Sequence, residues 1–220
     1  PPWFTCEGMG SQHFVRAPTV PLDRIDLMVC LELMGHALGV AGLPASVRNT
    51  LFLLGAERSE GTGALVDRIA TSESGVIVRR ADAEIIPPLS DYDSFWRKEV
   101  PFVLLTNARS RHYHTPQDTP EHLDLPKMQA SARWIERLVR DTCAREEPRV
   151  RFCRGVKDDL STLRSLEALT RELAPFSAPA KMGHAMATQL LKECDARGQL
   201  PSTRRATLGG LIGALESGLA

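Results

Sequence analysis

The chain has 220 residues, 43% hydrophobic and 25% charged, ordinary values for a globular protein of one or two domains that buries a core without staples. Lys plus Arg and Asp plus Glu number 27 each, so no net field draws the chain to nucleic acid or to an anionic membrane, and neither is expected as a partner. The odd set Cys6, Cys30, Cys143, Cys153 and Cys194 has no CxxC spacing, which argues against a zinc ribbon and a complete disulfide framework and fits reduced thiols in a cytoplasmic protein.

No apolar run approaches the roughly 18 residues of a membrane span. The chain opens on Pro1-Pro2-Trp3-Phe4 instead of a methionine or signal peptide, so its true start is expected upstream. Residues 25–34 are almost continuously apolar, as expected of a central strand covered on both faces. Residues 49–55 and 75–78 supply two more strands, and a helix over residues 59–72 follows the first of these.

Residues 100–106, with Val103, Leu104 and Leu105 continuous, read as a buried strand. A helix over residues 126–143 carries Met128, Ala132, Ile135, Leu138 and Val139 near helical spacing. Strands alternating with helices imply a layered α/β sheet. Composition changes after Arg145, where Glu146-Glu147-Pro148-Arg149 breaks the helix and the β-branched runs end. A boundary there divides the chain into residues 1–146 and a helical appendage, residues 147–220. The appendage has three amphipathic segments, marked by Leu160 to Leu173, by residues 182–191, and by Leu208, Leu211, Ile212, Leu215 and Leu219. Its leucine stripe reads as internal core or as the contact of a homodimer.

The most informative stretch is Tyr113-His114-Thr115-Pro116-Gln117-Asp118-Thr119, directly after the buried strand 100–106. Chain leaving a strand end in an α/β protein is where ligand sites form. Glu32 is the one charge inside the apolar strand around residues 27–34, and an unpaired carboxylate there costs several kcal/mol or stays protonated. It either pairs or turns to solvent at the strand end, or it binds a metal. With His114 it supplies the ligand types that zinc takes. His112 reads as an exposed loop residue or part of a substrate mouth, and His36 as bonded to a local carbonyl or within reach of the site. Asp118 and Thr119 are expected to cap the turn before the 126–143 helix, and Asp91 and Asp93 to start a helix around Phe95.

The segments Leu89-Ser90-Asp91-Tyr92-Asp93-Ser94-Phe95, Val100-Pro101-Phe102-Val103-Leu104-Leu105-Thr106 and the Tyr113-His114-Thr115 stretch resemble, in order and spacing, the C-terminal half of the di-zinc aminopeptidase family. Its relatives include aminopeptidase Y, bacterial leucyl aminopeptidases and glutaminyl cyclases. Upstream, Met9-Gly10-Ser11-Gln12-His13-Phe14 resembles the family's Gly-Ser-aromatic helix, and residues 29–35 its zinc-carboxylate strand. The resemblance covers roughly residues 1–143. It implies a three-layer α/β/α mixed sheet of the zinc-exopeptidase type. It also implies two zinc ions bridged by a carboxylate and a hydroxide, and a glutamate general base. By position His114 binds one zinc, Tyr113 hydrogen-bonds the oxyanion, and Glu32 stands where the family has a zinc-binding aspartate.

The family's first histidine, bridging aspartate and adjacent glutamate pair all precede the helix carrying Gly10-Ser11. Cys6-Glu7 reads as a degraded form of that pair, or residues 1–5 as the segment that follows it. On the second reading the chain is the C-terminal portion of a longer enzyme and is inactive alone. The resemblance then implies a zinc aminopeptidase acting on peptides. The alternatives are a glutaminyl cyclase-like acyltransferase, which Glu32 favours, and a non-catalytic binding module on the peptidase fold.

Overall fold

The computed structural model describes residues 9–145 and 150–219. The segments at residues 1–5 and Cys6-Glu7, and the boundary stretch at residues 146–149, lie outside them. Four strands, β1 (Met28–Glu32), β2 (Thr50–Leu54), β3 (Ile77–Ala81) and β4 (Phe102–Thr106), form one sheet in the order β1-β4-β2-β3. β1 runs parallel to β4 and β2 parallel to β3, while β2 and β4 are antiparallel, so the sheet is mixed.

Side chains alternate across the sheet as a period of two requires. Leu51, Leu53, Val103 and Leu105 point to one face, where they meet Leu65, Val66 and Ile69 of α3 (Thr62–Ile69) and Trp134 and Leu138 of α5 (Leu125–Cys143). Leu54, Phe102 and Leu104 point to the other, against Tyr92 of α4 (Tyr92–Trp96), whose ring stacks on Phe102 at 5.2 Å. Helices on both faces make the expected α/β layers. Among the described residues no helix is long and apolar enough to cross a membrane.

The expectation of a central strand over residues 25–34 is corrected. β1 covers only residues 28–32, ends the sheet among the described residues and leaves Leu31 51% exposed. An apolar run reports what covers a strand's two faces. It carries no information on ladder partners, which are backbone groups.

The C-terminal helices are α6 (Asp159–Leu173), α7 (Ala178–Lys192) and α8 (Arg205–Leu219). Asp158 and Ser177 cap α6 and α7 by accepting from the N–H groups of Ser161 and Ala180, two of the donors that a helix start leaves without partners. Leu163, Leu166, Leu190, Leu208 and Leu211 pack on one another inside the chain. α6 also lies on the sheet. Ser165 Oγ donates to the Arg80 carbonyl at 2.6 Å, and the Asp82 N–H donates to Thr162 Oγ1 at 2.8 Å.

Candidate active site

Because β1 and β4 are parallel, Glu32 lies level with Thr106, and the two following loops leave the same edge of the sheet. Asn107 joins them. Its Oδ1 accepts from Gly35 N–H at 2.8 Å and its Nδ2 donates to the Thr50 carbonyl at 3.1 Å, which ties both exits to the start of β2. Gly35 has φ +102°, and a Cβ there would come within 2.8 Å of Met128 Sδ, so the β1 exit needs glycine. Beneath it Lys127, fully buried, donates from Nζ to the carbonyls of His36 and Arg48, each at 2.9 Å. Burial, then the nearby Arg48, push this ammonium down to about 7 against the pull of Asp124.

Glu32 is half-buried and its carboxylate accepts a short hydrogen bond from Ser90 Oγ. Ser90 Oγ is also 3.4 Å from Cys30 Sγ, a thiol that burial pushes up. The carboxylate in the apolar strand thus has a hydroxyl partner, delivered by the segment before α4.

His114 is exposed and has φ +58°, a left-handed conformation that strains a residue with a Cβ. Its ring stacks on Tyr113 with centroids 3.8 Å apart, and the Arg109 guanidinium lies 5.6 Å from the Tyr113 ring centre. Tyr113 lines a cleft of about 470 Å³, together with Leu33 and Met34 from the β1 exit, His36, Arg48 and His112. Glu32 and His114 stand outside that lining.

His36, His112, Asp118 and His122 all line the cleft. His112 is half-buried and stacks on His122 at 3.9 Å, a pairing made by the turns between them and carried by no sequence spacing. Partial desolvation, then His122 and Arg111, push His112 below its ordinary value. His36 lines the cleft and is pushed down by burial and then by Lys127. Asp118 lines it too. Thr119 stands at the start of the single turn Pro120–His122 before the long helix, without a side-chain cap bond to its backbone, and its Oγ1 lies 3.3 Å from His122 Nδ1. The long helix itself is capped by Asp124, which accepts from Lys127 N–H at 3.0 Å. Asp91 and Asp93 do open α4, where Asp93 also pairs with Arg97 at 2.7 Å.

Glu32 at the end of β1 and the His114 imidazole in the loop after β4 supply donor types that suit zinc. A zinc ion takes about four ligands, and among the described residues no group of three or more His, Cys, Asp or Glu side chains converges to hold a metal. The described residues therefore do not by themselves fit a complete zinc centre.

A model of peptidase family M28 matches residues 3–139. No curated protein and no solved structure matches the chain.

Proposed function

Because the chain belongs to peptidase family M28, we propose that it is a zinc-dependent aminopeptidase that removes N-terminal residues from peptides bound in the cleft beside Tyr113. In this reading Glu32 and His114 are two of the metal ligands. The observation that carries this reading is the register of β1 with β4, which sends Glu32 and the Tyr113-His114 loop out of one sheet edge beside the cleft. In this reading Ser90 holds the Glu32 carboxylate in one orientation, as a hydrogen bond to a metal-binding carboxylate does. Tyr113 donates its phenol O–H to the scissile carbonyl oxygen as negative charge develops there. The apolar walls supplied by Leu33 and Met34 take the N-terminal side chain.

The test is zinc content by elemental analysis together with hydrolysis of a leucyl anilide, on these 220 residues and on the protein with any coding sequence ahead of Pro1. Bound zinc and turnover that are lost together in Glu32→Ala and His114→Ala support the reading. Cyclisation of an N-terminal glutaminyl peptide without anilide hydrolysis would replace it with the acyltransferase. Zinc-free protein with no turnover in either form would leave a binding module.

A further inference from the structure

The family match ends at residue 139, yet the last helix of the chain reaches the cleft. Leu219 is among its lining residues, with Tyr113. Leu219 lies on the Gly39 turn of the β1 exit, its Cδ2 3.2 Å from where a Cβ of residue 39 would stand. Leu215, one helical turn back, packs with Leu219 against Leu38, Val47, Leu169 and Leu173. Between them Glu216 pairs with Arg109 Nε at 3.0 Å, and Arg109 is the guanidinium lying over the Tyr113 ring. Residues 215, 216 and 219 fall on one side of a helix by their spacing, so one stripe of α8 makes both contacts.

We propose that α8 is a wall of the peptide cleft, with Leu219 setting the size of the N-terminal side chain accepted and Glu216 positioning Tyr113 through Arg109. The inference rests on the peptidase reading above. A leucine at a cleft wall limits an apolar side chain by volume, and one or two methylenes of added or lost room change discrimination by about tenfold or more. The Glu216 carboxylate fixes the flat face of the guanidinium, and the guanidinium in turn restricts the phenol ring. Lysine at position 109 would keep the ion pair and lose the planar contact.

Two readouts test this on the full chain. The first is the ring resonances of the two tyrosines, Tyr92 and Tyr113, in tyrosine-labelled protein. Glu216→Gln and Arg109→Lys are expected to move the Tyr113 signal, while Tyr92, buried beside Phe102, keeps its own. An unmoved Tyr113 signal in both variants overturns the positioning role. The second readout is kcat/KM for alanyl, leucyl and phenylalanyl anilides. Leu219→Ala is expected to raise the phenylalanyl-to-alanyl ratio about tenfold and Leu219→Trp to lower it by a similar factor. Unchanged ratios in both variants, with wild-type turnover intact, overturn the wall and leave the peptidase standing. If neither these 220 residues nor the form extended ahead of Pro1 turns over substrate, the peptidase reading fails, and the Tyr113 resonance alone then decides whether α8 acts on this ring.

Discussion

Ser90 donates a hydrogen bond to Glu32, joining the segment before α4 to the end of β1. The contact gives a carboxylate in an apolar strand a partner, and it orients the oxygen that faces away from Ser90. On the proposal that Glu32 binds zinc, Ser90→Ala is expected to lower zinc affinity by about 10- to 100-fold, the effect of losing a hydrogen bond to a metal ligand. The thermal midpoint should move little. Competition titration against a chromophoric chelator reads the affinity, and an unchanged affinity would mean that Ser90 does not hold a metal-binding carboxylate.

Lys127 holds up the floor of the site. The His36 carbonyl has Lys127 as its donor, whereas the Arg48 carbonyl also accepts from Leu38 N–H at 3.0 Å. The native ammonium gives up its proton near 7 and the unfolded one near 10.5. Between those values the unfolded chain holds more protons, so this group's contribution to stability rises with pH across that window. Lys127→Met removes the donor, at a cost of roughly 1–3 kcal/mol, and also removes the burial penalty on the charge. Urea unfolding should therefore show a larger gap between wild type and variant at pH 9 than at pH 7. An equal gap at both would mean that Lys127 titrates near its ordinary value.

Glu57 behaves in the opposite sense. Burial first, then Asp82, push its carboxyl up from 4.5 to about 7, against the N–H of Ala83 and the neighbouring Arg58. The folded chain holds this proton over a range where the unfolded chain has lost it, so stability falls as pH rises from about 4.5 to 7 and the penalty persists above 7. Glu57→Gln keeps an acceptor for Ala83 N–H and carries no titrating group. The variant is expected to match wild type near pH 4 and to exceed it at pH 8, by on the order of 1–3 kcal/mol. Denaturant midpoints at the two values check it; a variant less stable than wild type at pH 8 would show that the Glu57–Arg58 pair is ionised and favourable.

Trp134 is fully buried in the layer between α5 and the sheet, and its Nε1 donates to the Ile69 carbonyl at 2.9 Å. Trp134→Ala should cost roughly 3–5 kcal/mol through the cavity and the unpaired carbonyl. On the same helix Leu125 is 65% exposed, and Leu125→Ala is expected to stay within about 0.5 kcal/mol. Thermal unfolding of the two variants side by side gives the comparison, and similar losses in both would contradict the burial of Trp134.

The four strands, the long α5 and the three C-terminal helices were legible in the sequence, because the strands are marked by short apolar runs and the helices by a period of 3.6 in their apolar residues, local properties of the chain. The ends of β1 and its place in the sheet were not, since ladder partners are backbone groups that side-chain pattern does not report. Glu32 stood out as a charge at the end of an apolar strand and Tyr113 and His114 in the loop after another, and the strand register between Glu32 and Thr106 sends both loops out of one edge. The partners were beyond reach: Ser90 on Glu32, Asn107 between three strand ends, Lys127 under His36, His122 on His112 and Glu216 on Arg109 are polar contacts between residues up to 107 positions apart. Periodicity decides which face of an element is buried. Which polar groups meet depends on how loops of irregular backbone cross one another, and only the assembled tertiary structure decides that.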